Sequence, residues 1–237
     1  MSAAEIVRER NREFMMGLAD ALPIGLGYGP VAMAYGLLAK SAGLTLIQCV
    51  AMSIIVFAGA SQFMALNLIA VGIGIGEIVL ATFLINLRHL LMSMSISEKL
   101  LALNRGIRAC IAFGVTDESF AVSSIRGGKL STGYMLGLEI LSYGFWVAGS
   151  GVGYMAGEVL PPMLQTSMGI ALYAMFIGLL IPSAKKSKKV LTLAVLAALL
   201  NSVFGLFLTG GWPMIAATII ASLGVAVVLP EDGACNE

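Results

Sequence analysis

The chain has few charged side chains for its length. Lysine, arginine, aspartate and glutamate make up 11% of the 237 residues, whereas 59% of the residues are hydrophobic. Soluble domains carry about 25% charged residues, so the composition excludes an ordinary soluble enzyme. The formal net charge is only +1. This argues against a nucleic-acid partner, because proteins that bind nucleic acids carry a concentrated basic surface.

Histidine and cysteine are equally scarce. His89 is the single histidine, and the three cysteines lie far apart with no CxxC pair. We therefore expect no metal site and no cofactor, and we interpret the cysteines as small apolar residues. The sequence also lacks a Walker motif and the GxSxG and HExxH motifs. Neither ATP use by this chain nor an enzymatic function is predicted.

Long apolar runs separate the clusters of charge. We identify eight such segments, at about 15–39, 44–71, 77–97, 107–124, 132–157, 163–182, 189–208 and 213–229. About 20 residues cross a bilayer, and lipid offers no hydrogen-bond partner to the backbone, so we predict helices. The expected fold is an all-α, polytopic helical bundle that spans a membrane. It comprises a cytoplasmic N-terminal segment (1–13), a single transmembrane domain (14–229) and a polar tail (230–237).

Two of these segments contain features that interrupt helices. The first combines Pro23 with a glycine-rich stretch that ends at Pro30. Proline disfavours helix at the residue before it, so we expect a break near Gly27–Pro30. The second segment carries Gly59-Ala60-Ser61-Gln62 in its interior. It is therefore either one tilted helix or two half-helices.

Basic residues indicate which loops face the cytoplasm. They form four regions: Arg8/Arg10/Arg12, Lys99/Arg105/Arg108, Arg126/Lys129 and Lys185/Lys186/Lys188/Lys189. If all four are cytoplasmic, an even number of crossings must separate them, but three apolar segments precede residue 98 and one lies between 108 and 126. Either some segments are re-entrant, or the N-terminal arginines, whose charge is offset by neighbouring glutamates, do not mark a cytoplasmic segment. The best re-entrant candidate is 107–124, with TDES in its middle.

The sequence contains a weak internal similarity. VLATFLIN at 79–86 resembles VLAALLN at 195–201, and glycine-rich stretches recur near 25–36 and 149–157. Two related halves, at about 14–125 and 130–229, would explain this similarity, although apolar low-complexity sequence also matches by chance. Duplicated halves with broken helices are common among transporters.

The segment 77–97 carries a polar stripe. At about 100° per residue, its members fall within about 80° of one another on a helix; they are Thr82, Asn86, His89, Ser93 and Ser97. Such side chains need partners or water when the rest of the helix is apolar. The stripe is either a helix–helix interface held by polar groups or one wall of a polar pathway. His89 can also carry a proton near neutral pH.

Arg88 lies near the middle of the same segment but points away from the stripe. An arginine at membrane depth needs a counter-charge, and Asp117 and Glu118 in VTDESF lie at comparable depth. We predict that Arg88 pairs with one of them, while the other acid faces a cavity. Three roles are open for Arg88. It forms a buried ion pair that stabilises the fold, it binds a substrate carboxylate, or it is a surface arginine whose side chain snorkels to the membrane interface.

The motif FAGASQF (57–63) places Ser61 and Gln62 at the end of a turn of small residues. It favours a tight helix crossing, or a helix N-terminus near Ala60 that points its amides at a substrate carboxylate. GLGYGPVA (25–32) is interpreted in the same way, as unwound backbone beside protein or a cavity.

Together these motifs resemble the AzlC (YgaZ-type) family, the large subunits of bacterial and archaeal exporters of branched-chain amino acids. The resemblance rests on Pro23 with Gly29-Pro30, FAGASQF, NLRHLLMS (86–93) and TDESFA (116–121), then on Trp146 and GIALYAMFIGLLIP (169–182). It covers roughly residues 14–210. It implies export of valine, leucine or isoleucine and a small membrane partner of the AzlD/YgaH type.

A zwitterionic substrate needs donors for its carboxylate and acceptors for its ammonium group. Half-helix amides can supply the donors, and Asp117, Glu118 or a freed carbonyl the acceptors, while a proton relay through His89 and a carboxylate can drive uphill export. The candidate substrate-binding or coupling residues are Pro30, Gly59, Ser61, Gln62, Asn86, Arg88, His89, Asp117 and Glu118. A passive channel for small neutral solutes and a non-transporting membrane scaffold are the alternatives.

Overall fold

The computed structural model describes residues 3–100, 104–126, 128–157, 177, 180–181, 184–185, 187–209 and 211–228. Within these ranges it contains nine α-helices and no strand beyond an isolated bridge between Leu100 and Leu130. The helices are α1 (Ala3–Ser41), α2 (Leu46–Ile55), α3 (Gly59–Ala70), α4 (Ile75–Lys99), α5 (Arg105–Gly114), α6 (Asp117–Ile125), α7 (Thr132–Ala156), α8 (Lys188–Phe204) and α9 (Trp212–Val228).

The all-α membrane fold predicted from composition is confirmed. Three helices of the described chain are long and apolar enough to cross a bilayer, and they cover Val7–Ser41, Ile75–Lys99 and Thr132–Ala156. α2, α3, α5 and α6 have at most 12 residues. Such a helix is about 18 Å long, less than the roughly 30 Å of hydrocarbon. The predicted segment 163–182 lies almost wholly outside the described residues, as does the tail at 230–237.

The chain divides into two compact units. Unit 1 comprises Met1–Leu66 and Ile85–Ala171, and unit 2 comprises Asn67–Leu84 and Leu172–Glu237. These boundaries do not follow the halves at 14–125 and 130–229, whose relationship stays a prediction. In unit 2, α8 packs against α9, and Glu77 at the start of α4 accepts a hydrogen bond from the backbone N–H of Gly211 at 3.3 Å.

The first helix is continuous through both of its prolines, so the expected break near Gly27–Pro30 is wrong. The physical reason is packing: α1 lies against α7 so closely that a Cβ at Gly17 or Gly36 would overlap the backbone of α7. Tertiary contact over several turns stabilises a helix whose local propensity is poor, and a neighbouring helix can compensate for the donor that proline lacks.

α1 and α7 run parallel to each other. A Cβ at Gly133 would lie 2.8 Å from the carbonyl oxygen of Arg10, whereas Gly153, five turns later, faces the backbone of Met33. We call the end where both helices begin the near end of unit 1, and the opposite end the far end.

α2 and α3 form a hairpin that enters from the far end and returns to it. The hydroxyl of Tyr154, late in α7, donates to Leu44 O at 2.8 Å, and that of Tyr143 donates to Ile54 O at 2.9 Å. α2 therefore runs antiparallel to α7, towards the middle of the unit. The alternative of two half-helices for segment 44–71 is confirmed, with the break at 56–58.

α3 reverses direction after the break. Phe57 lies against Tyr28, and Phe63 lies against Tyr35, so the chain now advances in the direction of α1. Gln62 also donates to Ser53 Oγ at 3.1 Å, which places the two half-helices side by side at this level.

α5 and α6 form a second hairpin, which enters from the near end. Ser93 donates to Ala112 O at 3.4 Å and His89 contacts Val115 O at 2.9 Å, so α5 runs antiparallel to α4. α6 then runs back, because Lys99 at the end of α4 donates to Ser124 O at 3.4 Å. The segment 107–124 is thus broken into two helices, the second of which turns back towards the near end; that it re-enters a membrane stays a prediction.

The two hairpins have an inverted relationship. α1 and α4 are long helices, each followed by a hairpin whose first arm has 10 residues, and the hairpins enter from opposite ends. Repeats of inverted topology with broken helices are a recurrent transporter architecture.

This arrangement explains the odd numbers of segments between basic regions. Only α1 and α4 need to cross before Lys99, and no crossing lies between Arg108 and Arg126. Leu130 N donates to Lys99 O at 2.8 Å, and Arg126 pairs with Glu13 at 3.1 Å. Three of the four basic regions therefore meet at the near end of unit 1.

Candidate functional site

Tyr28 lies where the tips of the two hairpins meet. It is only 5% exposed, and its ring centroid is 6.1 Å from that of Phe57 in the break of the first hairpin. Its hydroxyl lies 2.8 Å from Thr116 Oγ1 in the break of the second hairpin. Both interruptions of helix are therefore brought to one depth in unit 1, about midway between its ends.

Local sequence explains why α6 begins at this point. Thr116 is the N-cap, and its Oγ1 accepts from Ser119 N at 3.3 Å while Ser119 Oγ accepts from Thr116 N at 2.8 Å. This capping box satisfies donors that the helix itself leaves unpaired. Asp117 and Glu118 occupy the first turn, where the helix dipole favours negative charge.

Arg88 pairs with Asp117, which confirms the ion pair predicted from the sequence. Arg88 Nη1 lies 2.8 Å from Asp117 Oδ2, and the two side chains are 35% and 26% exposed. The contact uses one terminal nitrogen of the guanidinium group. Arg88 Nε is buried and has no hydrogen-bond partner among the described residues.

The sequence predicts that the second acid faces a cavity, but Glu118 has a protein partner as well. It accepts a hydrogen bond from the Tyr28 hydroxyl at 2.5 Å. The hairpin tip is thus fixed to α4 through Asp117 and to α1 through Glu118.

His89 holds the same break from a third direction. Its Nδ1 lies 2.9 Å from Val115 O, and because a carbonyl only accepts, Nδ1 carries the hydrogen. In the neutral ring, Nε2 is then an acceptor. His89 Nε2 and Asn86 Oδ1 are both buried without a partner in the part of the chain that the structure describes.

The polar stripe of α4 has a mixed environment. Ser93 bonds to α5 and His89 bonds to the break that follows α5, as expected of a polar helix interface. Thr82 instead donates to Ile78 O of its own helix at 2.7 Å. Asn86 keeps an unused acceptor. Both interpretations of the stripe therefore retain support.

The polar residues of FAGASQF are occupied by the protein. Gln62 is fully buried; its Oε1 accepts from Trp146 Nε1 at 2.8 Å and its Nε2 donates to Ser53. Ser61 donates to Ala58 O at 2.9 Å. A Cβ at Gly59 would lie 2.6 Å from the Trp146 ring. These contacts favour the tight helix crossing over a substrate cradle at this tip.

Five of the nine candidate residues lie together. We use "central cluster" for these five and the two residues that join them: Tyr28, Asn86, Arg88, His89, Thr116, Asp117 and Glu118. Gly59 and Gln62 instead contact Trp146, Ser61 bonds to Ala58 O, and Pro30 is exposed on α1. The sequence prediction missed Tyr28, although a tyrosine inside a glycine-rich apolar stretch was an available signal.

Glu139 is a further acid within an apolar segment, and it does not pair with Arg88 in the part of the chain that the structure describes. It lies on α7, is 4% exposed, and its Oε1 has no partner among the described residues. Among those residues, no group of three or more His, Cys, Asp or Glu side chains is placed to hold a metal ion.

An open groove of unit 1 lies between α1, α6 and α7 and contains none of the candidate residues. Its polar side chains engage one another, since Tyr134 donates to Asp20 at 2.8 Å and Arg126 lies 4.0 Å above the Tyr134 ring. The groove therefore offers less unused polarity than the central cluster.

Comparison with known proteins gives a consistent family match. The profile of the AzlC protein family matches residues 23–160. The inner membrane protein YgaZ of Escherichia coli K12 is 31% identical over 91% of this chain and 90% of its own length. The branched-chain amino acid transport protein AzlC of Bacillus subtilis 168 is 28% identical over 91% of this chain and 85% of its own.

An archaeal relative extends the match. An uncharacterized membrane protein of Archaeoglobus fulgidus is 36% identical over 73% of this chain and 76% of its own length. No solved structure matches the chain.

Proposed function

The chain belongs to the AzlC protein family and has a role in membrane transport, and on that premise we propose that it exports branched-chain amino acids across the inner membrane. Valine, leucine and isoleucine are the proposed substrates, and the proton gradient is the proposed driving force. The name of the Bacillus relative, branched-chain amino acid transport protein AzlC, supports this choice of substrate.

The observation that carries the proposal is the unused polarity of the central cluster. Asn86 Oδ1 and His89 Nε2 are buried acceptors and Arg88 Nε is a buried donor, all unpaired in the described structure. Each such atom costs about 1–3 kcal/mol when it lacks a partner. An amino-acid zwitterion offers three ammonium donors and a carboxylate acceptor. It therefore carries partners for atoms of both kinds.

Aromatic rings beside the cluster suit an apolar branched side chain. The centroid of the Tyr143 ring lies 5.3 Å from that of Phe57 and 6.0 Å from that of Phe113, so this group of rings joins the two hairpins. Apolar surface of this kind recognises valine, leucine and isoleucine by area buried and discriminates weakly among them.

The proposed orientation of the chain in the membrane follows from charge. The near end carries Arg8, Arg10, Arg12, Lys99, Arg105, Arg108, Arg126 and Lys129, and basic loops face the cytoplasm. Hairpins that enter from opposite ends would expose the central cluster to one side at a time. A proton relay through His89 and a carboxylate would couple this alternation to the gradient.

We also propose that a small AzlD/YgaH-like membrane subunit is required, as the family resemblance implies. Purification of both chains from a co-expressing host tests this, with recovery of a stable complex as the expected result. If the chain alone supports full transport, the requirement is wrong.

Counterflow of radiolabelled leucine into liposomes that contain both subunits tests the function. We expect counterflow by the wild-type protein, and uphill efflux that is lost when the proton gradient is collapsed. Uphill efflux that survives collapse excludes proton coupling. Leucine equilibration without counterflow indicates a passive channel, and no flux in the presence of the partner indicates a scaffold.

Asn86→Ala tests the central cluster within the same assay. It removes an acceptor proposed for the ammonium group, so we expect a KM for leucine raised about tenfold, equivalent to about 1.4 kcal/mol. Asn201→Ala is the matched control, because Asn201 is an exposed asparagine on α8. An unchanged KM in Asn86→Ala would place substrate binding elsewhere.

A further inference from the structure

Glu139 is a carboxyl group buried near the middle of unit 1, and no described residue provides it with a counter-charge. The residue is 4% exposed, and Oε1 has neither solvent contact nor a hydrogen-bond partner in the described chain. An ionised carboxylate is strongly disfavoured in such surroundings unless it is paired. Carboxyl groups at membrane depth are costly and usually have a function.

The other acidic side chains of this region are paired. Asp117 contacts Arg88, Glu118 accepts from Tyr28, and Glu13 contacts Arg126. Their charge is therefore balanced or hydrogen-bonded in the observed state. Glu139 differs from them in being free to take up or release a proton without breaking an existing bond.

The elements packed against α7 bring no cation to Glu139. α2 has no charged residue, and α5 carries Arg105 and Arg108 in its first turn, at the opposite end from Gly114. From α6 the facing charges are Asp117 and Glu118, and from α1 the groups at this level are Asp20, which accepts from Tyr134, and Tyr28. None of these side chains forms a hydrogen bond or ion pair with Glu139 among the described residues.

Glu139 instead touches the backbone of the second hairpin at its break. A Cβ at Gly114, the last residue of α5, would lie 2.5 Å from Glu139 Oε2. The next residue, Val115, provides the carbonyl that holds His89, and the one after it, Thr116, contacts Tyr28. A change at the carboxyl group therefore acts directly on the segment that closes the central cluster.

We propose that Glu139 binds the proton that couples transport to the gradient. The neutral carboxyl packs dry against Gly114 at the hairpin tip, as in this structure. When the proton leaves, the carboxylate needs water, and the tip moves away from α7 to admit it. The same oxygen then takes a proton from the opposite compartment, so one proton crosses per cycle. This inference rests on the proposed transport function.

Glu139→Gln tests the inference, because glutamine keeps the shape and neutrality of the protonated acid. In liposomes with the partner subunit we expect leucine counterflow near the wild-type rate. Proton-driven uphill efflux should fall at least tenfold, and the counterflow rate should lose its pH dependence. Glu9→Gln is the matched control, because the Glu9 side chain is 56% exposed at the near end, and it should behave as wild type.

Three results would overturn the proposal. Undiminished uphill efflux in Glu139→Gln would remove its role in coupling while leaving the export function intact. Loss of counterflow together with coupling, in a variant that elutes and melts as wild type does, would make Glu139 a substrate ligand or a structural residue. Absence of flux in the wild-type protein would overturn both proposals.

Infrared spectroscopy of the purified protein provides a readout that does not depend on transport. At neutral pH, where exposed carboxyl groups are ionised, a carbonyl band of a protonated carboxylic acid should be present in wild type and in Glu9→Gln and absent from Glu139→Gln, and it should disappear as the pH is raised. If Glu139→Gln misfolds, Glu139→Asp replaces it and should shift the band. An identical band in wild type and the Glu139 variant would refute the assignment.

Discussion

The chain of hydrogen bonds through Gln62 gives a sharp test of how the first hairpin is held. Gln62 is fully buried, accepts from Trp146 Nε1 at 2.8 Å and donates to Ser53 Oγ at 3.1 Å; Ser53 also bonds to Ser150 at 2.8 Å. Gln62→Leu keeps a side chain of similar size but leaves the indole N–H without an acceptor. Ser53 retains Ser150 as a partner.

The expected loss of stability follows from the unpaired indole. A buried donor left without a partner costs about 1–3 kcal/mol. At roughly 2–4 °C per kcal/mol, the midpoint of thermal unfolding should fall by about 3–10 °C. Asn201→Leu, which removes an exposed amide on α8, should leave the midpoint unchanged.

A double-mutant cycle with Trp146→Phe separates this bond from changes in packing. Each single variant leaves one buried partner unpaired, whereas the double variant removes both. The double variant should therefore lose about 1–3 kcal/mol less than the sum of the singles. Additivity within about 0.5 kcal/mol would show that the two side chains do not interact and would refute this account of the tip.

Three further predictions concern the rest of unit 1. Asp117→Asn leaves Arg88 without its counter-charge and should lower the free energy of unfolding by about 1–2 kcal/mol for this partly exposed pair. Arg88→Met combined with Asp117→Asn should restore the yield of folded protein but not leucine counterflow. Restored counterflow would exclude a substrate role for Arg88. Gly36→Ala should prevent stable folding because its Cβ overlaps Ser150 O. Gly27→Ala has nothing within 4 Å of its Cβ and should be neutral or stabilising. Size-exclusion and melting assays compare the two variants, and equal behaviour would contradict the close packing of α1 on α7. In a background without native cysteines, Arg105→Cys and Lys129→Cys should react with a membrane-impermeant thiol reagent from the same side, whereas labelling from opposite sides would show that α5 and α6 cross the bilayer.

The central cluster was partly predictable because charges at membrane depth have few available partners. Arg88 required an acid at comparable depth, and the sequence offered Asp117 and Glu118. The sequence could not assign one acid to each partner. That division depends on the break at 115–116, which directs Asp117 towards α4 and Glu118 towards Tyr28.

The interpretation of glycine and proline from local rules had mixed results. At Gly59, where one tilted helix and two half-helices were both open, the structure has two half-helices, since α3 begins at this residue. At Gly27–Pro30 the expected break is absent, because contact of α1 with α7 outweighs the local preference. Local propensity is a weak guide wherever a long tertiary interface overrides it.

The sequence by itself determined that this protein is helical and dissolved in lipid, because its composition leaves most backbone groups no partner except one another. It also determined that Arg88 must find an acid. Only the tertiary structure decided that 44–71 and 107–124 turn back midway along their course, and that Glu139 Oε1 has no hydrogen-bond partner among the described residues near Gly114. Reversal of direction and absence of a partner both depend on contacts between residues far apart in the chain, and such contacts leave no local pattern in the sequence.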